Sequence, residues 1–140
     1  MHEGAIAAAI VQGALEALER EGLSSARSLT VLIGRLHSVV PDVLQDHYRL
    51  LKREQPTLRR SRLLVEIAPV RIACRACLRE AVIERPEFAC PACGSTQIDV
   101  IGGREMHLKE ILGVRPTADG GRQKKKAKSN SKSQINSSSK

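Results

Sequence analysis

Four cysteines in two close pairs, Cys74-Arg-Ala-Cys77 and Cys90-Pro-Ala-Cys93, constrain this chain more than any other feature. Two residues between the members of a pair let both sulfurs turn toward one ion at ~2.3 Å in a tetrahedral shell. Twelve residues separate the pairs, fewer than the roughly fifteen to twenty usual for this pattern but enough for a short hairpin or loop. Gly94 follows the second pair, where a turn needs a permissive backbone. Whatever surrounds this segment must bring four thiolates to one point. Four thiolates leave no coordination position for water, so the expected ion is a structural zinc rather than a catalytic one. The rival readings are redox C-x-x-C motifs or four free thiols. A redox pair sits at a βα junction, and no helical pattern follows either pair.

Around this insert the apolar periodicity predicts an α+β fold: a small mixed or antiparallel sheet covered by two helices, with the four-cysteine, zinc-ribbon-like module inserted. Ile6, Ile10, Ala14 and Leu18 recur every four residues, flanked by Val11 and Leu15, which predicts an amphipathic helix over residues 3–21 ending at Gly22. Leu29, Val31 and Ile33 alternate in a strand that is apolar on both faces and ends at Gly34. Pro41-Asp42 suits the first turn of a second helix with Val43, Leu44, Tyr48 and Leu51 as its apolar stripe. Residues 63–67 and 105–112 alternate as strands. The expected organisation is an α/β unit over 1–69 completed by a strand at 103–114, a zinc module over 70–102, and a disordered tail over 115–140.

Charge supports treating the tail separately. Formal net charge is +8, yet residues 115–140 hold eight Lys/Arg against one acid, leaving 15 basic and 14 acidic residues in 1–114. The tail is mostly Lys, Ser, Asn, Gln and Gly and cannot bury enough apolar surface to offset its ordering entropy. Tyr48 and Phe88 are the only aromatics, so the core is aliphatic and offers little for stacking on bases. No phosphate-binding glycine loop is present, so the chain is not expected to hydrolyse nucleotides, and with no Ser/His/Asp or Cys/His arrangement it is not expected to act as an enzyme. No signal peptide or membrane span is expected, since Gln12, Gly13 and Glu16 interrupt the apolar stretch of residues 5–18. A cytoplasmic location keeps the thiols reduced.

The chain begins Met1-His2-Glu3. A free amine at Met1 with the backbone nitrogen and imidazole of His2 can form fused chelate rings around Ni(II), which accepts square-planar nitrogen ligands. Glu3 supplies a further donor through its amide or carboxylate. His37 is a candidate for an additional donor; His47 and His107 read as solvated or supporting residues.

Taken in order, Met1-His2-Glu3, the helix after it, the strand ending Ile33-Gly34, the helix around Leu44, the strand 63–66, the two cysteine pairs with Pro91 and Gly94, and Gly103-Arg-Glu-Met-His-Leu108 resemble the HypA/HybF family of nickel metallochaperones over residues 1–114. That resemblance implies nickel as transient cargo at His2, Met1 and Glu3, and zinc at Cys74, Cys77, Cys90 and Cys93. It implies a partner GTPase of the HypB type and delivery to the large subunit of [NiFe]-hydrogenase, with urease maturation as a second client. A monomer or weak homodimer is expected, with neither membrane nor nucleic acid as partner. The chain departs from the family at Val40, where an acid usually stands, and at Asp46 and Tyr48, where Phe is usual. The basic tail lies outside the pattern. The competing reading is a zinc-ribbon nucleic-acid-binding or protein-interaction module with a basic arm.

Overall fold

In the computed structural model the described residues are 2–84, 87–116 and the backbone of 122–128. They form two compact units: residues 1–32, 39–66 and 106–140, and residues 33–38 and 67–105. The end of the first strand and the segment after it belong to the second unit.

The first unit is built on two helices and a sheet. Helix α1 spans Glu3–Glu21. Its buried side chains Ile6, Ala7, Ile10, Val11, Ala14, Ala17 and Leu18 fall on the stripe that a 3.6-residue repeat generates. Gly22 ends it in the left-handed conformation (φ 69°), returning its N–H to Glu19 O at 3.2 Å while Leu23 N–H bonds Leu18 O at 2.9 Å. Helix α2 spans Pro41–Leu51, with Pro41 in its first turn and Leu44 and Tyr48 buried one turn apart. Val43 lies 40 % exposed, outside the apolar stripe the sequence suggested. The sheet has the order β2-β1-β6-β7, with β1 at Ser25–Gly34, β2 at Arg62–Ala68, β6 at Met106–Pro116 and β7 at Arg122–Lys128. Leu29, Val31 and Ile33 of β1 are fully buried, as their double-sided apolar pattern predicts.

The expected tail disorder falls mostly on residues 117–121 and 129–140, outside those described. β6 itself continues to Pro116, and the backbone of β7 pairs antiparallel with it from Glu110↔Lys128 to Pro116↔Arg122. A strand edge with unpaired N–H and C=O groups can accept such a ladder whatever the side-chain composition.

The second unit carries a three-stranded antiparallel sheet of order β4-β3-β5, with β3 at Val70–Cys74, β4 at Glu80–Ile83 and β5 at Ile98–Gly102. Its core is Val70, Ile72, Cys74, Ile83 and Cys90, with Leu36, Ala81, Ile98 and Val100 packed against it. Leu36 comes from a short 3-10 turn, Arg35–His37, whose entry requires glycine. A Cβ on Gly34 would lie 2.0 Å from Gly103 O. There Gly34 N–H bonds Glu105 O at 2.7 Å and Leu36 N–H bonds Gly103 O at 2.9 Å. Among the described residues no helix is long and apolar enough to cross a membrane.

Candidate metal sites

The two cysteine pairs fold into matching turns. Leu78 N–H bonds Cys74 O at 3.0 Å and Gly94 N–H bonds Cys90 O at 2.8 Å, so each pair closes in one turn. The residue after each second cysteine takes a positive φ: 64° at Leu78 and 81° at Gly94. Backbone amides then point at sulfur, Ala76 N–H and Cys77 N–H toward Cys74 Sγ at 3.3 and 3.4 Å, and Ala92 N–H toward Cys90 Sγ at 3.4 Å. Cys74 ends β3, and its neighbour Arg75 grips Asp99 of β5 with Nη2 at 2.7 Å and Nε at 3.1 Å, tying the first turn to the sheet.

All four sulfurs lie within 4.8 Å of one another, with Cys74–Cys93 at 3.6 Å and Cys77–Cys90 at 3.7 Å. The edge of a tetrahedron with ~2.3 Å bonds is ~3.8 Å, so the sulfurs stand where zinc needs them. The set suits a structural zinc.

Proton affinities differ sharply across the cluster. The Cys77 amide, with that of Ala76, lowers Cys74 to about 7. The Cys93 amide lowers Cys90. At Cys93 the Ser95 amide favours the thiolate, but the hydrogen bond with Cys74, lost hydration and the other two sulfurs prevail and push it to about 11. Four thiolates so close cannot all stay charged without a cation.

Not every apolar side chain of the cysteine module serves its core. Ile72 and Ile83 are buried, whereas Leu78, Val82 and Phe88 are 84, 43 and 47 % exposed. Val70, Leu36 and Ile98 take the places of those three.

At the amino terminus, His2 is the exposed N-cap of α1 and its imidazole makes no capping bond. Met1 lies outside the described residues. Glu3 opens α1, and its carboxylate accepts the backbone N–H of Val40, the N-cap of α2, at 2.8 Å. The chain's amino group and the Val40 N–H hold Glu3 down to about 2. It is therefore an anion at neutral pH, standing at two helix N-termini whose dipoles favour it. Of the other histidines, His37 Nε2 lies 3.0 Å from Arg104 O, both in the second unit. His107 on β6 is half-buried rather than solvent-facing, and His47 on α2 is exposed.

The model of one protein family, described as "Hydrogenase/urease nickel incorporation, metallochaperone, hypA", matches residues 1–112. A hydrogenase maturation factor HypA from Moorella thermoacetica is 32 % identical over 108 residues, covering 77 % of this chain and 95 % of that protein. One from Methanothermobacter thermautotrophicus is 34 % identical over 118 residues, covering 79 % and 95 %. The solution structure of the Ni metallochaperone HypA from Helicobacter pylori superposes with a TM-score of 0.60 at 17 % identity, covering 79 % of this chain and 96 % of that one, which is a likeness of fold.

Proposed function

The chain belongs to the HypA family of nickel-incorporation metallochaperones, and from that premise we propose that it binds Ni(II) at its amino terminus through Met1, His2 and Glu3 and delivers the ion to the large subunit of a [NiFe]-hydrogenase. The family is one of metallochaperones and maturation factors, and on this reading the chain handles nickel rather than transforming a substrate. Urease is the second client class, a HypB-type GTPase supplies the nucleotide chemistry, and the work takes place in the cytoplasm by a monomer or weak homodimer.

The observation that carries this reading is the exposed imidazole of His2, which makes no capping bond, followed in the chain by Glu3, whose carboxylate is fixed by the Val40 N–H, at the open end of α1. A helix leaves its first amides without intrahelical partners. A metal can therefore take the His2 backbone nitrogen, after loss of its proton, without breaking the helix. The amine, that nitrogen and the imidazole form two fused rings, and the anionic Glu3 offsets the ion's charge. Protonation of an imidazole with an ordinary pKa of ~6.5 weakens the grip, which suits an ion that must be handed on.

Cys74, Cys77, Cys90 and Cys93 would hold zinc as a resident structural ion. In small metal-stapled domains such binding contributes about 10–16 kcal/mol of apparent free energy at neutral pH.

The test is Ni(II) titration of zinc-loaded protein with its native amino terminus, beside His2→Ala. One-to-one binding with a square-planar spectrum, lost in the variant, is expected. Absence of binding, or binding indifferent to His2, would overturn the amino-terminal site.

A further inference from the structure

In the nickel reading the fourth position falls to Glu3, whose carboxylate already accepts the Val40 N–H, so a side chain from another element can stand beside it or in its place. Amine, amide and imidazole from Met1 and His2 supply three donors of a square plane. The side chain at position 40 is Val and offers none, and the Val40 N–H is already given to Glu3.

Helix α2 brings a different donor to this end of α1. The His47 ring lies over Gly4: a Cβ built on Gly4 would stand 3.3 Å from Cε1, 3.4 Å from Nδ1 and 3.8 Å from Nε2. The imidazole thus rests on the backbone two residues after His2, in the space that a side chain at position 4 would take. Glycine inside a helix costs up to ~1 kcal/mol relative to alanine, and here the volume it frees is the seat of the ring. His47 is exposed, and no hydrogen bond or ion pair engages its ring nitrogens among the described residues. A neutral imidazole then keeps a free lone pair, the donor that Ni(II) prefers.

We propose that His47 is a further nickel donor in this chain, reaching from α2 to the ion held by Met1, His2 and Glu3. The inference rests on the nickel reading above and adds a residue to it. It also gives the bound ion a structural consequence. A ligand from each helix makes nickel a clamp between α1 and α2, so loading stiffens the packing of the two helices and release loosens it.

The experiment uses full-length, zinc-loaded protein with a native amino terminus and nickel chloride as the probe. His47→Ala and His47→Gln are compared with the unaltered chain and with His2→Ala, and circular dichroism checks the fold. Glutamine keeps a side chain of similar reach over Gly4 while removing the imidazole. Affinity is read by competition with a chelator and the number of imidazole ligands by X-ray absorption. The expected result is two imidazoles on nickel in the unaltered chain and one in either His47 variant, with affinity weaker by about tenfold or more. Unchanged affinity and imidazole count in both His47 variants, while His2→Ala still abolishes binding, would overturn the role of His47 and leave the nickel reading standing. No nickel binding by the unaltered chain would overturn both.

Discussion

The carboxylate of Glu3, at the first position of α1, caps α2 by accepting the N–H of Val40 at 2.8 Å. In an ordinary capping box the acid lies three residues inside the helix it caps. Here it comes from another helix, 37 positions earlier. The residue read as a nickel ligand is thereby also the residue that fixes the entry of α2 relative to α1.

This gives Glu3 a pH signature. Its folded pKa of about 2 lies below the ordinary 4.5, through bonding to the amino terminus and to Val40. A depressed carboxylate stabilises the fold above its unfolded pKa, and that contribution is lost as pH falls through the folded value. The expected outcome is a Glu3 titration midpoint near 2 by carboxyl-carbon NMR, with a Val40 amide shift that follows it. Glu3→Ala, which removes the acceptor, should lose about 0.5–1 kcal/mol in denaturant titration at pH 7, by analogy with other lost caps. A midpoint near 4.5 would show that the contact does not persist in solution.

Tyr48 and Ser61 form a buried polar chain. Ser61 Oγ donates to Leu58 O at 2.6 Å, which leaves Tyr48 O–H as the donor to Ser61 Oγ. Burial raises the phenol's pKa against the lowering effect of Ser61, so it stays protonated at neutral pH. The two deletions are not equivalent. Tyr48→Phe removes the donor and leaves Ser61 bonded to Leu58, costing about 1 kcal/mol. Ser61→Ala strands a buried hydroxyl and should cost more, about 1–3 kcal/mol. Equal losses in urea titrations would mean that a water molecule or a rotated phenol takes the place of Ser61.

Much of the first unit was legible because its elements are long and periodic. The four-residue recurrence of Ile6, Ile10, Ala14 and Leu18 placed α1, and the alternation of Leu29, Val31 and Ile33 placed β1 as a buried strand. The clustering of the four cysteines followed from their spacing alone. The strands that hold it did not. β3, β4 and β5 are four or five residues long, and the β3 alternation of Val70, Ile72 and Cys74 follows immediately on Pro69, which reads as a stop. Leu36 joined that core from a segment that looks like a loop after Gly34. The seating of His47 on Gly4 depends on how two helices pack, and nothing within either helix signals it.

The matched cysteine turns predict a stabilising substitution. Leu78 occupies a left-handed position, φ 64°, with 84 % of its surface exposed, while its counterpart Gly94 is the residue suited to that conformation. A non-glycine residue there carries ~1 kcal/mol or more of backbone strain, and so exposed a side chain returns little packing. Leu78→Gly is therefore expected to stabilise the zinc-loaded protein by about 0.5–1 kcal/mol, and Gly94→Ala to destabilise it by a similar amount, both read as shifts in chelator-induced zinc loss. If Leu78→Gly weakens zinc retention, the leucine's restriction of the unfolded chain outweighs its backbone strain in the turn.

Two glycines should respond to alanine with opposite sign. Gly13 lies within α1 with nothing inside 4 Å of its missing Cβ, so Gly13→Ala should add about 0.5–1 kcal/mol through helix propensity. At Gly34 the same methyl would stand 2.0 Å from Gly103 O and 2.6 Å from Arg104 N, atoms of a backbone held in place by Gly34 N–H to Glu105 O and Leu36 N–H to Gly103 O. Relief requires parting those hydrogen bonds, each about 1 kcal/mol, and moving Leu36 out of the core around Cys74 and Cys90. Gly34→Ala should therefore cost several kcal/mol, on the order of 3–4, placing it among the severe single substitutions. Its damage should be concentrated in the zinc module, seen as faster hydrogen exchange in β3 and faster zinc release. A mild loss spread evenly over the protein would show that the Gly34–Gly103 approach relaxes without disturbing the metal site.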